Sequence, residues 1–225
     1  MNEKNIENLK ARLMQLGFAA SVEMELRCRI CFSPAAFELV HVEVAGADVA
    51  RFVVNLQKGE RDLYDVVSYQ AVLRKDVVVP AELFALDLRM GSINWKKLTG
   101  NNYVAIEKAD ISEAFSLLKE LERMGCDADV LKFKYWVDTP LEMMMANLSA
   151  LKNRFEISER FYLFDAAHVI SFQEAHRFLH SKWMEKQVVA NKKLLLKKEE
   201  GAKGGGTGGQ LLKKNVRKPG KGLHK

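Results

Sequence analysis

The sequence predicts an α+β protein: an antiparallel β-meander covered by N-terminal helices, then a mainly helical unit and a disordered basic tail. Three observations lead to this class. Apolar residues recur at helical spacing near the amino terminus, the period changes to two from Phe37, and glycine and lysine dominate after Glu199. The expected boundaries are 1–98 for the helix-helix-sheet unit, 99–198 for a mainly helical unit with one or two short strands, and 199–225 for the Gly/Lys-rich tail.

Ile6, Leu9, Leu13 and Leu16 mark an amphipathic helix over 3–16, and Gly17 suits its end because glycine takes a left-handed conformation without a Cβ penalty. The stretch SVEMELRCRICF reads two ways. Leu26, Cys28, Ile30 and Phe32 alternate like a strand, while Val22, Leu26 and Ile30 share a helical face. Three alternating runs follow. Val40, Val42 and Val44 share one face of the first, Ala50, Phe52, Val54 and Leu56 one face of the second, and Leu63, Val67, Tyr69, Ala71 and Leu73 one face of the third. Short polar turns at Gly46 and at KGERD make these runs a meander, whose apolar face the amino-terminal helices would cover. Pro80 suits the first turn of a short helix through Met90, because its missing N–H has no helical partner there.

The second unit is expected to begin near Tyr103. Ile111, Ala114, Phe115, Leu118 and Leu121 form a stripe ended by Gly125, and LKFKYWV (131–137) alternates like a strand. Thr139, Pro140 and Glu142 form a capping box with proline at the first helical position, opening a helix with Leu141, Met144, Met145, Leu148, Leu151 and Phe155 on one side. RFYLF (160–164) reads as another short strand. Ser171 with Glu174 then caps a helix that buries Phe172, Ala175, Leu179 and Trp183.

Charge is unevenly distributed. From Lys186 onward twelve Lys and Arg face two Glu, a local net of +10 against +6 for the whole chain, which leaves about −4 for residues 1–185. Such a distribution suits a flexible, non-specific attraction to polyanions rather than a broad nucleic-acid footprint on the folded body. The candidate contacts are Lys192, Lys193, Lys197, Lys198, Lys213, Lys214, Arg217, Lys218 and Lys221. Eight of the 14 glycines lie between Gly201 and Gly222, too little apolar surface to offset the entropy of ordering the chain. The sequence contains neither a signal-peptide pattern nor 18 consecutive apolar residues, so a cytoplasmic protein without a membrane partner is expected. Three cysteines suit reduced thiols.

Few residues could carry chemistry. Cys28 and Cys31 have the C-x-x-C spacing that lets two thiolates share a zinc or close a redox disulfide, but a structural zinc needs four ligands, and Cys126 and His41 are distant in sequence. Packed cysteines are the plainer reading. His176 and His180 would project from one helical face as a chelating pair, yet Arg177 stands where a zinc protease motif has glutamate. KFKYWV interleaves lysines with aromatics as single-strand-binding sheets do; Trp136, on the lysine side, is the candidate base-stacking residue. Met143, Met144 and Met145 could form an adaptable surface, although two of them fall on the expected core stripe. The run AKGGGTGGQ lacks the Gly-Lys-Ser/Thr of a phosphate loop. No catalytic residue, metal or cofactor is assigned.

MNEKNIENLKARLMQLGF together with RFVVNLQKGERDLYDVVSYQAVLRK resembles the amino-terminal part of an uncharacterised bacterial family of accessory proteins carried on conjugative or other mobile elements. The resemblance spans about residues 1–75, with a lysine-containing turn and D-x-Y step matched by Lys58, Asp62 and Tyr64, and it favours helix over 21–31. It implies an accessory protein of an element that moves or maintains DNA. The expected function is therefore non-enzymatic: a protein partner bound through the folded body, with weak DNA or RNA contact through the tail. The alternatives are a pure protein scaffold with a solubilising tail, and a small metal or redox protein using Cys28/Cys31 or His176/His180.

Overall fold

The computed structural model describes residues 2–100, 107–163 and 169–204, with side chains through Leu196. The chain divides into two compact units, Met1–Lys182 and Trp183–Lys225. The first contains the sheet and both apolar cores; the second is described over its helical stretch to Gly204.

Helix α1, Glu3–Leu16, is capped by the Asn2 side chain, which accepts from the Asn5 N–H. It ends at Gly17, whose φ of 125° only glycine adopts easily, and Ile6, Leu9, Leu13 and Leu16 are buried. The ambiguous stretch is helix α2, Val22–Cys31. Strands β1 (Ala36–Ala45), β2 (Asp48–Lys58) and β3 (Tyr64–Arg74) then form the expected antiparallel meander.

The face of β1 is a correction. Phe37, Leu39 and His41 point into the core, whereas Val40, Val42 and Val44 remain 45%, 48% and 71% exposed. A one-residue change in strand phase exchanges every side chain between faces. The larger Phe37 and Leu39 win, with His41 stacked on Phe172 at 5.2 Å. In β3 a register shift beside Asn55 and Leu56 makes Val67 an extra residue between Val66 and Ser68, so Val66 and Tyr69 share the buried face.

The chain then leaves the sheet. A 3-10 turn and α3 (Phe84–Ser92) follow Pro80, then α4 (Trp95–Thr99), α5 (Lys108–Met124), α6 (Asp129–Trp136) and α7 (Leu148–Phe155). These build a second core from Val77 to Phe155 around Met90, Leu117, Leu131 and Phe133. On α5 the buried stripe is Ala114, Leu117 and Leu121, rotated from the expected one, and Phe115 is exposed. The expected start near Tyr103 lies outside the described residues.

LKFKYWV is a helix, not a strand. Short apolar runs fit either period, and here tertiary contacts decide: Lys134 and Tyr135 both reach the Asp87 carboxylate on α3, at 2.9 and 2.8 Å. The helix expected from Pro140 is also interrupted. Thr139 caps a five-residue 3-10 turn, Pro140–Met144, and Glu142 reaches back to the Asp138 N–H at 2.8 Å. The chain is extended at Met145 before α7, where Asn147 binds the Asp129 carboxylate at 2.6 Å.

β4, Glu156–Tyr162, returns to the sheet and pairs antiparallel with β3, completing the order β1-β2-β3-β4. The second core is thus inserted between β3 and β4. Helix α8, Phe172–Gly204, opens with the expected capping box: the Ser171 N–H donates to Glu174 Oε2 at 2.8 Å and the Glu174 N–H to Ser171 Oγ at 3.3 Å. Phe172, Ala175 and Leu179 join the first core with α1 and α2, covering one face of the sheet. The helix continues to Gly204, past the expected start of the tail at 199; residues 205–225 lie outside the described part.

Candidate functional site

A cleft of ≈ 760 Å³ lies where the start of α1, the end of α2 and the turn between β2 and β3 meet. Asn2, Asn5, Cys31, Ser33, Arg61, Asp62 and Tyr64 line it, with Ile6 and Ile30 beneath. Hydrogen bonds of Asn5 and Tyr64 tie its walls together. The Asn5 amide donates to the Tyr64 carbonyl at 2.9 Å and accepts from the Tyr64 N–H at 3.0 Å, joining α1 to β3 as a strand neighbour would. The Tyr64 hydroxyl donates to the Pro34 carbonyl at 2.6 Å.

Lys58 Nζ lies 2.9 Å from both Ser33 Oγ and Asp62 Oδ1. The hydrogen bond to Asp62 raises the Lys58 pKa, so its amine stays protonated. Arg61 and Asp62 sit at φ of 58° and 59°, two successive left-handed residues with side chains, an arrangement that stores strain. Among the described residues Arg61 makes no ion pair, leaving its guanidinium at the cleft wall. The site can thus receive a polar or anionic group, and its lining supplies no histidine to activate Cys31 or a water.

Of Lys58, Asp62 and Tyr64, Asp62 and Tyr64 line the cleft and Lys58 pairs with Asp62 beside it. Asn5, Ser33 and Arg61 carried no sequence signal. Polar residues in turns are ordinary, and the positive φ of Arg61 has no glycine or asparagine to announce it.

The other sequence candidates scatter. Trp136 is on α6, 3% exposed, edge-on to Trp95 at 5.8 Å; a ring buried in the second core cannot stack on a base, so that assignment is corrected. Cys28 and Cys31 are exposed rather than packed, as is Cys126. His176 and His180 stand on α8 with ring centroids 6.4 Å apart, His41 is held in the aromatic stack, and among the described residues no group of three or more His, Cys, Asp or Glu is placed to hold a metal. Met143 and Met144 are exposed, and Met145 alone of the three is buried, because the 3-10 turn rotates the expected stripe. Lys192 and Lys193 are exposed on α8. The side chains of Lys197 and Lys198, and the whole of Lys213, Lys214, Arg217, Lys218 and Lys221, lie outside the described residues. Among the described residues no helix is long and apolar enough to cross a membrane.

A partly buried ionic group joins the inserted core to the sheet. Arg74 pairs with Glu156, its register partner on β4, at 2.7 Å and with Asp138 at 2.9 Å, while Arg51 lies 3.7 Å from Asp138. Asp138 adopts φ of 60° to reach them. These groups are mutually satisfied, so they serve architecture, holding the loop after α6 against the sheet. Compared with known proteins, the chain matches no family model, no curated protein and no solved structure.

Proposed function

We propose that the chain is a non-enzymatic accessory protein of DNA-handling machinery, such as that of a mobile element, which binds a protein partner through its folded unit and nucleic acid through the cationic stretch from Lys186 onward. The observation that carries the reading is the charge partition: +10 from Lys186 to Lys225 beside an acidic remainder. Neutralising phosphates releases condensed counterions, so about 6–10 such contacts make affinity fall by roughly 10³–10⁵ between about 50 and 200 mM salt. Lys192 and Lys193, exposed on α8, support this role.

The test is binding of a DNA or RNA oligonucleotide across that salt range, by full-length protein and by a version ending at Lys198, which loses seven of the twelve Lys and Arg. The truncated form is expected to bind more weakly with a shallower salt dependence. Equal affinity of the two forms would refute a role for the segment beyond 198. A second reading, a protein scaffold whose cationic end only aids solubility, is favoured by paired apolar side chains left exposed on the inserted helices: Phe84 with Leu88 on α3, and Ile111 with Phe115 on α5. A co-purifying protein partner together with no oligonucleotide binding at low salt would select it.

A further inference from the structure

We propose that the outer edge of β1 is a self-association surface, on which a second copy of this chain pairs antiparallel, β1 to β1, about a two-fold axis through Val42. The proposal is independent of the nucleic-acid reading. β1 is an outer strand ten residues long, paired only with β2. The Lys58 N–H donates to the Ala35 carbonyl at 2.9 Å, so the pair 35 and 58 is hydrogen-bonded, and alternation directs the backbone groups of odd-numbered residues toward β2. Glu38, Val40, Val42 and Val44 therefore aim their N–H and C=O groups outward, and among the described residues nothing pairs with them.

Long, regular edges are ordinarily guarded by lysine, proline or a bulge. β1, AFELVHVEVA, contains no lysine or proline, and its ladder with β2 is unbroken. Its valines 40, 42 and 44, 45%, 48% and 71% exposed, project from the face that α1, α2 and α8 do not cover.

What selects a second copy as the occupant is the self-complementarity of this strand. Centred on Val42, the pairing sets Val42 against Val42, Val40 against Val44 of the second copy, and His41 against Glu43 of the second copy. His41 Nε2 already lies 3.2 Å from Glu43 Oε1 within one strand, so across the axis the two imidazoles and two carboxylates form one complementary cluster. The hydrogen-bonded pairs of the new ladder fall on even-numbered residues, the ones whose backbone groups are free. Moving the axis to Val40 would set Val42 against Glu38, and moving it to His41 would set Val44 against Glu38 and His41 against itself; each loses apolar or charge complementarity. The two sheets then become one eight-stranded sheet, with the closed symmetry commonest among homo-oligomers.

The test is sedimentation equilibrium of the full chain without nucleic acid, together with cross-linking. A dimer of twice the 25.5 kDa chain mass is expected, and V42K, which sets two lysines against each other, should raise its dissociation constant by about a hundredfold while leaving circular dichroism unchanged. In a background of C28S, C31S and C126S, V42C should form a disulfide-linked dimer on mild oxidation, because hydrogen-bonded antiparallel partners have Cα atoms about 5.5 Å apart, within disulfide range. V44C, whose opposite residue is Val40, should not. A monomer at every concentration, a dimer indifferent to V42K, or equal cross-linking of V42C and V44C would overturn the proposal.

Discussion

Phe172 is the first turn of α8 and the middle of the aromatic layer between that helix and the sheet. Its ring stacks on Phe52 at 4.2 Å and on His41 at 5.2 Å, and meets Phe18 and Tyr69 edge-on at 5.3 and 5.4 Å, with no exposed surface. Phe172→Ala removes the ring from a site bounded by β1, β2, β3 and the residue after Gly17, none of which can collapse inward without breaking ladder hydrogen bonds. The cost should lie toward the upper part of the about 3–5 kcal/mol typical of such truncations. Against a total stability of about 5–15 kcal/mol, a cost of about 4–5 kcal/mol lowers Tm by roughly 8–20 °C at about 2–4 °C per kcal/mol for a chain of this size. Urea and thermal unfolding followed by circular dichroism measure it. Phe178→Ala is the control: that ring lies on the same helix but is 44% exposed, and its loss should cost about 1 kcal/mol or less. If Phe172→Ala shifts Tm no more than Phe178→Ala does, α8 does not close the first core as described.

Two further outcomes follow from the same core and its cap. Gly17→Ala places a Cβ 3.1 Å from the Phe172 ring at φ of 125°, whereas Gly46→Ala, at φ of 65°, meets nothing within 4 Å; Gly17→Ala should therefore be more destabilising in urea unfolding, by about 1–3 kcal/mol. Glu174 is held below the ordinary carboxylate range by the Ser171 N–H and hydroxyl. A group whose folded pKa is depressed stabilises above its unfolded pKa of about 4.3 and loses that contribution as pH falls through the folded value. Glu174→Gln should thus lower Tm at neutral pH, with the gap from the parent closing below about pH 4; a gap constant from pH 7 to 3 would remove the capping carboxylate from the explanation.

Much of the fold was legible because local chemistry and tertiary packing agreed. Leu9 and Leu13 with Gly17 defined α1, the alternation of Ala50, Phe52, Val54 and Leu56 defined β2, and Ser171 with Glu174 defined the start of α8; each is a short-range signal the fold had no reason to override. Asp62 and Tyr64 of the cleft, with Lys58 beside them, were expected only from a resemblance, and Arg61 not at all, since a positive φ at arginine has no local sequence signal.

The sequence by itself determined the element types at both ends of the sheet unit and the concentration of positive charge beyond Lys186, because periodicity, caps and charge are local properties of the chain. Tertiary structure decided the rest. It chose the face of β1, since Val40, Val42 and Val44 match the strand period as well as Phe37, Leu39 and His41 do, and only the stack around Phe172 separates the two phases. It made LKFKYWV a helix through Asp87, a residue more than forty positions away. And it brought β4 back beside β3 across the whole inserted core, a pairing whose information lies in the fit of distant surfaces rather than in any stretch of the sequence.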